Sequence, residues 1–243
     1  MAVLTAYREG NFVAALKITE RLRKEAEQYC FLRGGLLMQL GNLDEAEKLL
    51  QQSVTLSEQR ETAIRNENPE EIAALEKQTK LCAFRWASLG ELHLERGRYN
   101  KAMQCFETSL CKWPGYGSFH RAIAETWLHR GDDPGEALKW ATLAVKETRA
   151  AKASSLGEDL ATLAWALAVA SQDRAKVDQL VDEAISVVST QSVSSRALVN
   201  YYSGLAYKEL GDSQLGAVHL EEAAACDRLG RWGRAARLRL GTS

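Results

Sequence analysis

Little in this sequence would bend, cross-link or anchor the chain. Only three prolines occur among 243 residues, at Pro69, Pro114 and Pro134, so helices can run long without interruption. No extended Val/Ile/Thr alternation appears, which removes the period-two signature of strands. No apolar run reaches the roughly 18 residues that mark a membrane-spanning helix, and no membrane partner is expected. The N-terminal MAVLTAYREGNF lacks a basic segment followed by an apolar core, so it does not read as a signal peptide. Cys30, Cys82, Cys105, Cys111 and Cys226 are odd in number and form no CxxC pair. They read as reduced, packed thiols, which points to a cytoplasmic location. The net charge of −1 offers no strong field to nucleic acid or to an anionic surface.

Catalytic signatures are missing as well. There is no GxxxxGK[ST], GxSxG or HExxH. His93, His120, His129 and His219 are scattered, and the closest two, His120 and His129, are too far apart for ligands one helical turn apart. Glu91 and Glu95 lie one turn apart, where a solvated or partner-facing helix face is a better reading than acid–base chemistry. We expect no catalytic residues, no metal and no cofactor.

What the chain does have is Ala, Leu, Glu, Arg and Lys in abundance, all good helix formers. An all-α protein follows. Turn-like sites recur between helical patterns, at Gly10, Gly41, Gly97, Gly131, Ser171 and Gly211. Gly97 and Gly131 are 34 residues apart, and the next two steps are 40 residues each. Recurrence on this scale is the mark of stacked helix hairpins.

Around Gly97 the residues Trp86, Leu89 and Gly90, then Ala102, Phe106 and Pro114, fit W-x2-L-G-x2-Y, A-x3-F and P. Here the chain resembles the tetratricopeptide repeat family, with His93 where Tyr is usual. The pattern is looser around Gly41, Gly131 and Gly211 and poor around Ser171, where no alanine sits cleanly in the second helix. The resemblance implies a right-handed α-solenoid of about six helix hairpins with a C-terminal capping helix, forming one superhelical domain over 1–243. Its physics is independent of the family name. Trp86, Leu89, Gly90 and His93 share one helical stripe, and Ala102, Cys105, Phe106 and Ser109 share another. Small Gly90 and Ala102 let two antiparallel helices approach closely. Helix starts are expected at Asn42–Glu45, at Asp133-Pro134, and at Ser155–Glu158 as a capping box.

Two segments depart from the plain repeat. Gly41 and Gly97 are 56 residues apart, so the hairpin over about 50–96 should be elongated. Ile72, Leu75, Thr79, Cys82, Trp86 and Leu89 predict a continuous seam on one helix from about Pro69 to Glu95. Arg65, Asn66, Glu67 and Asn68 would form its tip, either a solvated end or a docking arm, with homodimerisation one use for it. The second departure is RLGRWGRAARLRL at 228–240. Its Leu229, Trp232, Ala236 and Leu240 suit an end cap, and its arginines leave a basic patch as the competing reading. At the other end, too few residues precede Gly10 for a full first helix. This is read as a short cap or as a piece of a longer chain.

Carrying the family's register across, the first helices of successive repeats would line a concave groove with Phe31, Leu32 and Met38, with Phe84, Glu91 and Glu95, with Arg121 and Glu125, and with Trp165, Tyr201 and Tyr202. Aromatics there suit anchor pockets for a peptide. Some members of the family capture chaperone C-terminal carboxylates through basic residues on these faces. Here Glu91, Glu95 and Glu125 would repel such a tail, so the expected partner is an apolar protein or peptide segment carrying basic residues. The reading is a non-enzymatic scaffold or adaptor, with a regulatory or sensor module enclosing a ligand as the alternative. Nucleic acid is the weaker partner, resting on the arginine-rich end alone.

Overall fold

The computed structural model describes residues 2–20, 26–67 and 70–242. Among the described residues every regular element is an α-helix. Helices α1 (Ala2–Arg8) and α2 (Phe12–Thr19) are short. After them come α3 (Glu27–Gln39), α4 (Leu43–Glu67), α5 (Ile72–Glu95) and α6 (Tyr99–Lys112). The second half holds α7 (Gly117–Arg130), α8 (Pro134–Ala151), α9 (Leu156–Ser171) and α10 (Arg174–Val188). It ends with α11 (Val193–Glu209), α12 (Ser213–Cys226) and α13 (Arg231–Leu240). No described helix is long and apolar enough to cross a membrane.

The chain forms two compact units. Unit 1 comprises Met1–Leu4 and Phe12–Gly115, and unit 2 comprises Thr5–Asn11 and Tyr116–Ser243. In unit 1, α3 pairs with α4 and α5 with α6. In unit 2, α7 pairs with α8, α9 with α10 and α11 with α12.

The small-to-large logic of the sequence is visible in the packing of unit 1. A Cβ added at Gly90 would sit 2.6 Å from Phe106 Cε1, so only glycine lets α5 lie this close to the buried Phe106 ring. Leu37, Met38, Ala46, Leu50, Val54, Leu89, Leu92 and Cys105 form the core. Turns close in the left-handed region that glycine tolerates, at Gly41 with φ 82° and Gly97 with φ 67°.

The long hairpin exists: α4 has 25 residues and α5 has 24. Its seam differs from the one expected. Cys82 and Leu89 are buried, but Ile72 is 73% exposed. Polar groups close the distal part of the seam instead. Gln78 Nε2 donates to the Ser57 carbonyl at 3.2 Å and to Ser57 Oγ at 3.0 Å. The Glu61 carboxylate accepts from Thr79 at 3.1 Å and pairs with Lys112 at 2.8 Å. Hydrogen bonds thus replace apolar contacts where the two helices outrun the rest of the repeat.

In unit 2 the turn after α9 has no glycine. Gln172 adopts φ 57° in its place, and Asp173 caps α10 by accepting from the Lys176 amide at 3.2 Å. Val177, Val181, Ala184 and Val188 supply the buried stripe of α10, so branched side chains stand where the family pattern prefers alanine. The Asp133 cap forms as expected, accepting from the Glu136 amide at 3.0 Å. The capping box at Ser155 does not form. Ser155 makes no side-chain cap bond, and the Glu158 carboxylate accepts from Ser195 Oγ at 2.7 Å instead.

At the C-terminus, Trp232 and Ala236 are buried and Leu240 packs against the core, whereas Leu229 is exposed and takes no part in covering it. Two of the arginines bond to carbonyls of the preceding turn, Arg234 to Leu229 at 2.9 Å and Arg237 to Arg228 at 2.8 Å.

Candidate functional site

In unit 1 the expected groove residues fall on α3 and α5. Phe31 and Leu32 are half-buried, and Met38, 3% exposed, belongs to the core. The Arg85 guanidinium sits 3.8 Å from the centroid of the Phe31 ring and pairs with Glu27 at 3.2 Å, so a cation covers this aromatic. Glu91 and Glu95 are half-buried one turn apart on α5. Phe84 is half-buried and meets Trp113 edge-to-face, with centroids 5.4 Å apart. Arg65, Asn66 and Glu67 form the exposed last turn of α4, and Asn68 lies outside the described residues.

In unit 2 the structure gathers the expected residues into two groups. The first is ionic. Arg121 lies 2.6 Å from Glu125 on its own helix, 3.2 Å from Glu158 and 3.0 Å from Asp159. One guanidinium therefore answers three carboxylates. Thr162 Oγ1 donates to Glu125 at 3.4 Å and Thr148 Oγ1 to Asp159 at 2.6 Å. Burial pushes the Asp159 carboxyl up to about 6, against the pull of Arg121 and Thr148. Sequence reasoning found Arg121 and Glu125. It missed Glu158 and Asp159, whose only signal was their place in the first turn of α9.

The second group is aromatic. His129 from α7 meets Trp165 from α9 edge-on at 5.1 Å, and Trp165 stacks on Tyr202 from α11 at 5.3 Å. Tyr202 meets Trp232 from α13 at 5.4 Å, with Tyr201 tilted against both. Trp165 is 5% exposed and Tyr202 0%, so these rings face one another. Burial pushes His129 down to about 4, leaving it neutral at pH 7, and raises the Tyr202 hydroxyl well above the ordinary tyrosine range. Trp165 Nε1 and Tyr202 Oη are buried without a hydrogen-bond partner among the described residues.

Among the described residues, no cluster of three or more His, Cys, Asp or Glu side chains is placed to hold a metal. The five cysteines are free thiols, and burial pushes Cys82 and Cys105 up to about 11, which makes them poor nucleophiles.

Known proteins show where the fold belongs. Tetratricopeptide repeat models match residues 27–60 and 88–154. No curated protein matches the chain. Among solved structures it is similar to TTC0263, a thermophilic TPR protein in Thermus thermophilus, at 16% identity over 89% of this chain and 98% of that one, with a TM-score of 0.58. It is also similar to the apo form of RapI, at 12% identity over 100% and 97% of the two chains, with a TM-score of 0.61. A Rap protein complexed with competence and sporulation factor matches at 11% identity over 99% and 72%, with a TM-score of 0.59. These likenesses show a shared helical-repeat fold. Residues 27–60 and 88–154 thus match tetratricopeptide repeats, the repeat that the sequence resembles.

Proposed function

We propose that the protein is a non-enzymatic scaffold or adaptor that binds a protein or peptide segment, and that the α7, α9 and α11 side of unit 2 favours an apolar segment bearing basic residues. One observation carries this reading. Arg121, the cation a carboxylate ligand would need, is already engaged by Glu125, Glu158 and Asp159. With all three acids ionised the cluster holds a surplus of negative charge. An incoming lysine or arginine relieves that surplus, and an incoming carboxylate adds to it. Tetratricopeptide repeat proteins bind peptide or protein partners, and the similar Rap structure is a complex with competence and sporulation factor.

Hydrogen–deuterium exchange of α9 and α11 tests the site. Lys/Arg-bearing apolar peptides are expected to slow exchange in the first turns of both helices, with an effect that falls as salt rises. An EEVD-type acidic tail is expected to leave them unchanged. Protection of those turns by the acidic tail, and not by the basic peptides, would sink the reading.

A second reading, a sensor module enclosing a ligand, is favoured by the buried Trp165 Nε1 and Tyr202 Oη. Buried donors of this kind cost free energy until an acceptor reaches them. Titration with a true ligand would then change Trp165 fluorescence, whereas a surface-bound peptide leaves it constant.

A further inference from the structure

Between the two matched repeat segments lie residues 61–87, and much of α5 falls in that stretch. There α5 and Trp113 enclose an open recess of about 430 Å³. Ala73, Leu81, Phe84 and Trp113 make its floor, and Glu76, Lys77 and Lys80 make its rim. Positions 73, 77, 80, 81 and 84 share one helical face. Gln78, Cys82, Arg85 and Leu89, which hold α5 in unit 1, are buried on the other side. The recess face therefore points away from the side of α5 that is buried in unit 1. Ile72, one turn before Glu76, extends its apolar surface and is largely exposed.

The rim holds two cations and one anion. Lys80 Nζ lies 5.3 Å from the Trp113 ring centroid and bonds Glu76 Oε1 at 2.5 Å. That pairing neutralises Glu76. Lys77 is exposed and has no carboxylate partner among the described residues, so the rim keeps a positive surplus. An aromatic floor under a cationic rim has a specific complement. The volume falls at the small end of ligand pockets, roughly 300–1,000 Å³, which suits one large side chain.

The geometry points to a binding site for a partner peptide that inserts one bulky apolar residue, Trp, Phe or Leu, flanked by Asp or Glu. The ring enters against Phe84 and Trp113, which already show the edge-to-face geometry that aromatic pairs prefer. The flanking carboxylates meet Lys77 and Lys80. A basic flank meets like charge and is rejected. The site belongs to the elongated hairpin and stands independently of the cationic-segment reading of unit 2.

The test uses the full chain, 15N-labelled, with the Trp113 indole N–H and the Lys77 amide as reporters. The probes are decapeptides with a central Trp, Leu or Ala flanked by Asp, and the same set flanked by Lys. Asp-flanked Trp or Leu peptides should shift both signals in a saturable way. The Ala peptide and the Lys-flanked set should not. Lys77→Glu with Lys80→Glu, both away from the core, should weaken binding at least tenfold and leave the helical content unchanged. The proposal is overturned by silence at Trp113 with every Asp-flanked probe, by equal binding of both charge patterns, or by a double variant that binds as wild type. It is also overturned if the Trp113 signal moves with protein concentration alone, since the occupant is then a second copy of the chain. Exchange at α9 and α11 reads the other site, so either reading can fail without the other.

Discussion

Unit 1 and unit 2 use the same hairpin to different ends. In unit 1 the long helices are joined distally by Gln78 with Ser57 and by Thr79 with Glu61, which also pairs with Lys112 of α6, and Phe84 and Trp113 are half-buried at a recess. In unit 2 the aromatics turn inward, His129, Trp165, Tyr202 and Trp232 each coming from a different helix, and charge is concentrated on Arg121 and its three acids. In the elongated hairpin, polar bonds between α4 and α5 take the place of apolar contacts at the distal end of the seam. In unit 2, Trp165, Tyr202 and Trp232 are buried against one another, and Glu125 and Asp159 are buried as well. The difference lies in where each unit places its rings and its charges.

Truncating one ring in each unit puts that contrast to its hardest test. Tyr202→Ala removes a fully buried ring from the column and should cost about 3–5 kcal/mol. Phe84→Ala removes a half-buried ring at an open recess and should cost about 1 kcal/mol. Urea denaturation followed by circular dichroism reads both. Equal costs would mean that Phe84 is as much a packing residue as Tyr202, and the contrast between the units would be lost.

How much of this was legible depended on whether contacts were local. The Gly90–Phe106 approach was readable because both residues sit in one hairpin, at the spacing that antiparallel packing demands. The turn after α9 was hard to recognise because Gln172 holds a left-handed conformation that the sequence marks only with glycine. Periodicity placed Ile72 in the seam, yet a period cannot distinguish a buried stripe from the same stripe beyond the end of its neighbour. It also passed over Gln78, a polar residue buried by a specific bond to Ser57. The Ser155 capping box was a sound local pattern, but Ser195 and Arg121 claim Glu158 from other helices. For the candidate sites, Arg121 and Glu125 lie one turn apart and were found together. The covering of Tyr202 by Trp232, and the pairing of Phe84 with Trp113, come from packing between helices and leave no periodic trace.

Acid should separate the units by sign. Asp159 is wholly buried, with Arg121, Glu125, Glu158 and Thr148 around it, and its carboxyl is pushed up to about 6 in the folded protein from an ordinary 3.8. A raised carboxyl means the folded state binds the proton more readily than the unfolded chain. Its destabilising effect is full above pH 6 and is relieved as pH falls toward 4. Between pH 7 and 5 this group should add stability, on the order of 1–2 kcal/mol. Glu61 in unit 1 behaves in the opposite sense. Burial raises it, but bonds from Lys112 and Thr79 outweigh that and hold it below the usual range, so its contribution is present at pH 7 and lost only in stronger acid. Denaturation midpoints at pH 7, 6 and 5 should rise in wild type relative to Asp159→Asn, whose profile should be flatter. Parallel profiles would show that Asp159 does not carry the proton.

The smallest effect concerns the turns. Unit 1 closes at Gly41 and Gly97 in the left-handed region, whereas unit 2 also places Lys152 there, with φ 49°. A side chain in that region costs about 1 kcal/mol relative to glycine, part of which glycine returns through the greater freedom of its unfolded chain. Lys152→Gly should therefore stabilise by up to about 1 kcal/mol, because Lys152 is exposed and caps α8 through its backbone N–H, which glycine retains. Gly97→Ala should destabilise by a similar amount for the same reason in reverse, even though nothing lies within 4 Å of the added Cβ. Thermal melts of the two variants should move apart in opposite directions from wild type. If Lys152→Gly melts lower instead, the side chain contributes more in unit 2 than its backbone strain costs, and glycine at the turn is a habit of the repeat with no bearing on its stability.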